Sequence, residues 1–181
     1  MKSKKIHVAF LMGGLSSERE VSLNSGNACY DAIDKEKYYA TKFIVDKNFY
    51  DQILTIKPDI CFNALPGSFG EDGTIQSFLN KIGIPYTHSG ANASTIAMNK
   101  LLTKNYLSQF SENTTEKIIF PKTYDFKSLI EFKKYLPLVL KPISGGSSVE
   151  INILNNENDL NNIKDKLFSN EFIVEPLVGN R

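Results

Sequence analysis

The strongest constraint on the fold is the run Ile6 to Met12, which is apolar except for His7 and ends at Gly13-Gly14. Such a run is typical of a strand that is buried on both faces at the centre of a parallel sheet. Parallel strands need crossover connections, and helices usually supply them. The run therefore predicts an α/β fold built on an open parallel sheet.

Strand and helix patterns alternate through the first half of the chain. Tyr39 to Val45 and Pro58 to Leu65 have strand patterns, and Asn48 to Ile56 has the pattern of a short helix between them. A further helix ends at Gly83. Its apolar face consists of Ile75, Phe78, Leu79 and Ile82. The alternation predicts a Rossmann-like sheet with right-handed crossovers.

The segment after Gly13-Gly14 predicts the start of a helix. Ser17 and Glu20 have the spacing of a capping box, and the helix is expected to extend to about Ile33. A strand, a glycine turn and a helix N-terminus in that order can hold an anion or a polar ligand. The third glycine of the dinucleotide-binding fingerprint is missing, so the turn is not assigned to a dinucleotide.

The composition changes after Ser89-Gly90, before a helical stretch, Ser94 to Phe110, that carries Lys100 and Lys104. We therefore predict two domains, residues 1–90 and residues 91–181. The second is expected to be a small α+β unit. Its predicted elements are strands at 118–124, 136–141, 149–154 and 171–177 and helices at 128–135 and 157–168.

Composition and charge exclude several classes of function. Lys and Arg number 21 against 20 Asp and Glu, so broad electrostatic binding to nucleic acid or to an acidic membrane is not expected. The basic N-terminus precedes an apolar run that is too short for a signal peptide or a membrane span. Cys29 and Cys61 lack metal-ligand spacing and are predicted to be buried free thiols, which fits a cytoplasmic protein.

A glycine- and serine-rich loop follows the predicted strand at 136–141. It begins at Lys141 and contains Gly145, Gly146, Ser147 and Ser148. Glycine lets the main chain approach a ligand closely, so backbone N–H groups and the lysine can face a polyphosphate. The alternative is an ordinary surface hairpin, because the same residue types also form turns.

Five blocks of residues together carry a family resemblance. They are Gly13-Gly14 with Ser17 to Ser22, Gly70 to Gln76, Ile84 to Thr87 with Ser89-Gly90, Lys141-Pro142, and Gly146 to Val149. In order and separation, over essentially the whole chain, they resemble the D-alanine–D-alanine ligase family of ATP-grasp enzymes. The resemblance implies a pre-ATP-grasp N-terminal domain and an ATP-grasp subdomain. It also implies that two D-alanines are joined for peptidoglycan synthesis, with ATP and Mg²⁺ and through an acyl phosphate.

The resemblance implies roles for individual residues. Glu18 matches the carboxylate that holds the ammonium of the first D-alanine, and Ser147 matches a hydroxyl that helps to arrange that pocket. Lys100 and Lys141 match the lysines that contact the ATP phosphates, and Glu175 lies on the strand that hydrogen-bonds adenine. The loop expected to close over the phosphates contributes Gly145, Gly146 and Ser148.

Four positions depart from the family pattern. Pro66 replaces a histidine, His88 a glycine, Asn99 an aspartate, and Glu150 the glycine after the phosphate loop. The changes at Pro66 and His88 leave open a second hypothesis, another ATP-grasp carboxylate–amine ligase with a different acceptor.

The family continues beyond the position of Arg181 into a third domain that carries the Mg²⁺ ligands. We therefore expect those ligands beyond residue 181 and little activity from these 181 residues alone, because the metal stabilises the transferring phosphoryl group. The resemblance also implies a homodimer formed through the N-terminal domain. A hypothesis of a different class is a non-catalytic remnant that acts only in folding or dimerisation.

Overall fold

The computed structural model of the protein describes residues 4–110 and 123–178. The chain divides into two compact units, Met1–Ala97 and Met98–Arg181. This division falls at the last residue of the helix Ala91–Met98, whereas the predicted boundary lies just before that helix. Each unit has its own sheet and its own apolar core.

The first unit contains a parallel sheet, as the sequence predicts. Within residues 4–110, its strands are β1 (Ile6–Gly13), β2 (Tyr38–Val45), β3 (Ile60–Asn63) and β4 (Tyr86–Thr87), in the order β2-β1-β3-β4. Strand β1 pairs in parallel with both β2 and β3, which confirms its position inside the sheet. The helices are α1 (Arg19–Ala32), α2 (Phe49–Ile56), α3 (Thr74–Ile82) and α4 (Ala91–Met98).

The continuous apolar run of β1 is explained by burial of both faces of the sheet. Phe10 and Met12 on one face pack in a cluster with side chains of α1, such as Tyr30. Ala9 and Leu11 on the other face pack with side chains of α2 and α3. Helix α1 approaches β1 closely at Gly26, where a Cβ atom would lie 2.7 Å from the Met12 Cβ.

The second unit contains a three-stranded antiparallel sheet among its described residues, 98–110 and 123–178, in the order β6-β5-β7. Its strands are β5 (Leu138–Pro142), β6 (Asn152–Leu154) and β7 (Phe172–Pro176). Its helices are α5 (Lys100–Ser108), α6 (Leu129–Lys133), α7 (Glu157–Asn162) and α8 (Lys164–Leu167). Buried Leu138, Leu140, Leu154 and Phe132 form the centre of its core.

Several local predictions for the second unit need revision. The single helix predicted at 157–168 is two short helices, because Ile163 leaves the helical dihedral angles and packs against the core. Of the strand predicted at 118–124, residues 118–122 lie outside the described residues, and Tyr124 forms an isolated bridge with Val174.

The predicted capping box of α1 is wrong. The N-cap residue is Glu18, and it makes no side-chain cap hydrogen bond. Ser16 organises the turn instead, because its Oγ accepts from the Glu18 N–H at 3.3 Å and its carbonyl accepts from the Arg19 N–H at 3.2 Å.

The two cysteines differ in exposure. Cys61 is buried in β3, and its loss of hydration raises the pKa of its thiol to about 12. Cys29 is exposed on α1, so the prediction that it is buried is wrong. None of the helices in the described parts of the chain has the length and hydropathy needed to cross a bilayer.

Candidate functional site

The second unit contains a buried carboxylate that is bound by two lysines. Glu175 lies on β7 and is 3% exposed. Its Oε2 accepts from Lys141 Nζ at 2.5 Å, and its Oε1 is bound by Lys104 Nζ. Strand register explains the first contact, because Val139 is paired with Glu175 and Lys141 lies two residues farther along the same face of β5. Helix α5 supplies Lys104.

The start of α5 brings a third lysine to this cluster. Lys100 lies one helical turn before Lys104, on the same side of the helix. Its Nζ donates to the Gly145 carbonyl at 2.9 Å, and its backbone N–H donates to the Ile143 carbonyl at 2.9 Å. These bonds attach the helix N-terminus to the segment that follows β5.

The cluster has an excess of positive charge. Partial burial lowers the pKa of Lys100, the Lys141 ammonium lowers it further, and the Glu175 carboxylate acts in the opposite direction. Repulsion between the Lys100 and Lys141 ammonium groups contributes to this lowering. An anion placed between them would relieve this repulsion, so the arrangement suits a phosphate.

The glycine- and serine-rich loop joins the antiparallel strands β5 and β6 beside these lysines. Gly145 has φ of +111°, and Ser147, Ser148 and Glu150 have φ of +52°, +57° and +58°. These left-handed conformations are unusual for residues with side chains. The loop lines a cavity of about 110 Å³, together with Lys100, Pro142 and Ile151. Turns that contain left-handed residues can direct main-chain N–H groups toward an anion.

The first unit has a separate polar site at the carboxyl ends of its strands. Glu18, at the N-terminus of α1, lies against Gly67, where a Cβ atom would be 2.8 Å from the Glu18 Oε2. Gly67 has φ of +76°, and its N–H donates to Glu71 Oε2 at 2.7 Å. Two carboxylates next to a glycine turn make this edge suitable for an ammonium group.

Ser22 fixes the geometry of that edge. Its hydroxyl is buried, accepts from the Gly13 N–H at 2.9 Å and donates to the Ala64 carbonyl at 2.5 Å. It therefore connects the end of β1, helix α1 and the end of β3. The resemblance placed Ser22 inside a matching block without giving it a role, and no local sequence signal predicts its distant partner.

Each of the four departures from the family pattern makes a local contact. Asn99 caps α5, since its Oδ1 accepts from Leu101 N and Leu102 N at 3.0 Å, a task that an aspartate also performs. His88 Nδ1 lies 3.3 Å from the Asn63 amide, and Glu150 pairs with Lys166 at 3.2 Å. The Pro66 carbonyl accepts from Ser16 Oγ at 3.3 Å.

The structure brings most of the nucleotide-side predictions together. The members that meet in the second unit are Lys100, Lys141, Gly145 and Glu175, and the loop that includes Gly146, Ser147 and Ser148 adjoins them. Glu18 lies at the polar edge of the first unit. Sequence reasoning missed Lys104 as a member of the cluster, although its four-residue spacing from Lys100 is a usable signal. Within residues 4–110 and 123–178, no group of three or more His, Cys, Asp or Glu side chains is arranged to hold a metal ion.

Comparison with known proteins shows similarity to one group of enzymes. D-alanine–D-alanine ligase B of Mesorhizobium japonicum is 45% identical over 154 residues, which are 85% of this chain and 48% of that protein. The crystal structure of the Bacillus anthracis D-alanine–D-alanine ligase matches 97% of this chain and 58% of its own, with TM-score 0.81 and 33% identity. The structure of the same enzyme complexed with ATP gives TM-score 0.80 at 28% identity, over 98% of this chain and 58% of its own.

No family model matches the chain. The chain spans about half the length of the curated relatives that it matches. The resemblance inferred from the five sequence blocks is confirmed by these relatives: the chain is a homologue of the D-alanine–D-alanine ligases and corresponds to their N-terminal portion.

Proposed function

We propose that this chain forms the nucleotide-phosphate and first-substrate sites of an ATP-dependent ligase that joins two D-alanines. The homologues named above support the reaction, and one of their structures was determined with ATP. Since the relatives are about twice as long, the proposal for these residues concerns binding and orientation of substrates.

The observation that carries the proposal is the meeting of Lys100, Lys141 and the Gly/Ser loop at one place. Lys100 holds the loop through the Gly145 carbonyl, and Lys141 is 24% exposed with its ammonium on a buried carboxylate. Partly buried ammonium groups, main-chain N–H groups and serine hydroxyls are the donors that a polyphosphate requires. The residues present therefore fit the phosphate part of ATP.

Each residue has a defined task in this proposal. ATP with Mg²⁺, when bound, supplies the phosphoryl group that converts a D-alanine carboxylate into an acyl phosphate. Lys100 and Lys141 bind the phosphate oxygens and offset the negative charge that gathers on them. Gly145, Gly146 and Ser148 supply the loop that covers the phosphates. The strand β7, which carries Glu175, is assigned to the adenine.

The first D-alanine is assigned to the polar edge of the first unit. Glu18 holds its ammonium group, and the neighbouring Glu71 carboxylate orders the Gly67 turn against which Glu18 lies. Ser147 is assigned to substrate orientation as part of the phosphate loop of the second unit. We propose that the ligands for Mg²⁺ belong to the part of the relatives that this chain does not match. The product is proposed to serve peptidoglycan synthesis in the cytoplasm. A homodimer formed through the first unit is part of the same proposal.

Calorimetric titration with ATP and with adenosine tests the phosphate site. We expect Lys141→Met to weaken ATP binding at least ~10-fold, equivalent to ~1.4 kcal/mol, because a charge-assisted hydrogen bond is lost. Adenosine binding should stay unchanged, since adenosine carries no phosphate. Lys133→Met is the matched control, because Lys133 lies in an exposed ion pair with Glu157 in the same unit. Equal losses for both ligands, or no ATP binding by the unaltered chain, would contradict the proposal.

A further inference from the structure

Lys104 has no assigned role in the proposed phosphate site, although it contacts the carboxylate at the centre of that site. Its side chain is 18% exposed, and its Nζ binds Glu175 Oε1 and donates to Thr123 Oγ1 at 2.9 Å. Glu175 is almost fully buried, with its side chain 4% exposed. A lysine held this firmly beside a buried carboxylate contributes more than general surface charge.

The two oxygens of Glu175 are divided between two lysines. Oε1 belongs to Lys104, from helix α5, and Oε2 belongs to Lys141, from strand β5. The two lysines therefore hold the carboxylate from different secondary-structure elements. If one of them turns away, the other still compensates the buried charge.

This division matters because Lys141 has two competing anionic partners. In the structure its ammonium is bound to Glu175, and in the proposed function the same ammonium contacts phosphate. Turning toward phosphate would leave a buried carboxylate without a cation if Lys141 were its sole partner, and unpaired buried charge is strongly unfavourable. Lys104 removes that obstacle, because it stays on Oε1 while Lys141 moves.

We propose that Lys104 is a positioning residue that neutralises Glu175 and so releases Lys141 to bind an anionic ligand. This inference rests on the proposed function for the identity of the ligand, a nucleoside triphosphate. The exchange of partners by Lys141 is a property of the chain itself and can be measured without nucleotide.

The first test is a double-mutant cycle on ATP affinity, with adenosine as the phosphate-free reference. Lys104→Met leaves Lys141 as the remaining lysine on Glu175, so ATP affinity should fall ~10-fold with adenosine affinity unchanged. Adding Glu175→Gln to Lys104→Met removes the charge that traps Lys141 and should restore most of the lost ATP affinity. Lys104→Arg should retain near-normal affinity, because its guanidinium can still bind the carboxylate.

The second test is acylation of lysine amines by an N-hydroxysuccinimide ester, with Lys141 followed by mass spectrometry in the absence of nucleotide. Acylation requires an amine that can leave its ion pair and reach the ester, so a tighter ion pair with a carboxylate slows it. Lys141 should react severalfold more slowly in Lys104→Met than in the unaltered chain, and faster again in the double variant. Lys133→Met serves as the control that leaves this cluster intact.

The two tests separate the possible failures. Lack of ATP binding by the unaltered chain, with the expected acylation pattern, would overturn the proposed function and support the exchange of partners. Unchanged Lys141 acylation in Lys104→Met would overturn the inference, whatever the nucleotide result. The inference would also be overturned if the loss of ATP affinity in the double variant equalled the product of the losses caused by the two single replacements. That result would show that Lys104 only supports packing.

Discussion

Replacing Gly70 with alanine gives a stringent test of the loop that connects β3 to α3. An added Cβ would lie 1.9 Å from the Leu65 carbonyl oxygen and 2.4 Å from the Leu65 Cβ. Carbon and oxygen atoms in weak contact stay ~3.3 Å apart, so the backbone must move by roughly 1.4 Å. The group it would collide with is main chain, which cannot rotate away.

The displacement would also break buried hydrogen bonds. The Gly70 carbonyl accepts from Asn63 Nδ2 at 2.8 Å and from Gln76 Nε2 at 2.6 Å, and both side chains are buried. Overpacking costs ~1–3 kcal/mol, and each buried polar group left without a partner costs a further ~1–3 kcal/mol. We therefore expect Gly70→Ala to lower the free energy of unfolding of the first unit by about 4 kcal/mol.

Urea unfolding followed by circular dichroism measures this loss, and native-state hydrogen exchange in β1 assigns it to the first unit. Gly83→Ala is the matched control. Gly83 has φ of +71° and nothing within 4 Å of an added Cβ, so its replacement costs only the left-handed conformation, ~1 kcal/mol. If Gly70→Ala were no more harmful than Gly83→Ala, the close approach to Leu65 would be refuted.

Two further predictions concern α5. Asn99→Ala should lower the free energy of unfolding of the second unit by ~1 kcal/mol, because the helix loses its N-cap. Asn99→Asp should be nearly neutral, because Asp caps helices as well as Asn. Equal thermal stability of the two variants would contradict this prediction. Lys100 has a pKa below 10.5, so the unfolded state binds more protons, and stability should rise as the pH increases through the interval that ends near 10.5. Lys100→Met should remove that rise in urea unfolding at a series of pH values, and Lys133→Met should not.

The parts of the fold that sequence predicts well depend on local patterns. The continuous apolar run of β1 correctly predicted a strand inside the sheet. The end of α3 was predicted from apolar spacing and from Gly83, which takes a left-handed conformation. Helix α1 shows the limit of such patterns. The spacing of Ser17 and Glu20 matches a capping box, yet the turn is built by Ser16 through contacts that spacing alone does not distinguish.

Part of the candidate site was predictable from residue types, because the glycine- and serine-rich loop with Lys141 already indicated a polyphosphate site. The role of Lys100 was found only through the match to a known family, and the structure attaches Lys100 to that loop through the Gly145 carbonyl. Lys104 was not assigned, because its partner Glu175 lies 71 residues away and the contact depends on strand register as well as helix orientation. Long-range ion pairs of this kind leave no periodic signal in a single sequence.

The attachment of α5 to the segment after β5 has a thermodynamic consequence for ligand binding. Two main-chain contacts fix the start of α5 relative to the loop. They are the hydrogen bond from the Lys100 N–H to the Ile143 carbonyl and the bridge between Asn99 and Ser144. A ligand that meets Lys100 and the loop therefore encounters two groups that are already ordered with respect to each other. Less conformational entropy is lost on association than with independent side chains, so more of the contact energy becomes affinity.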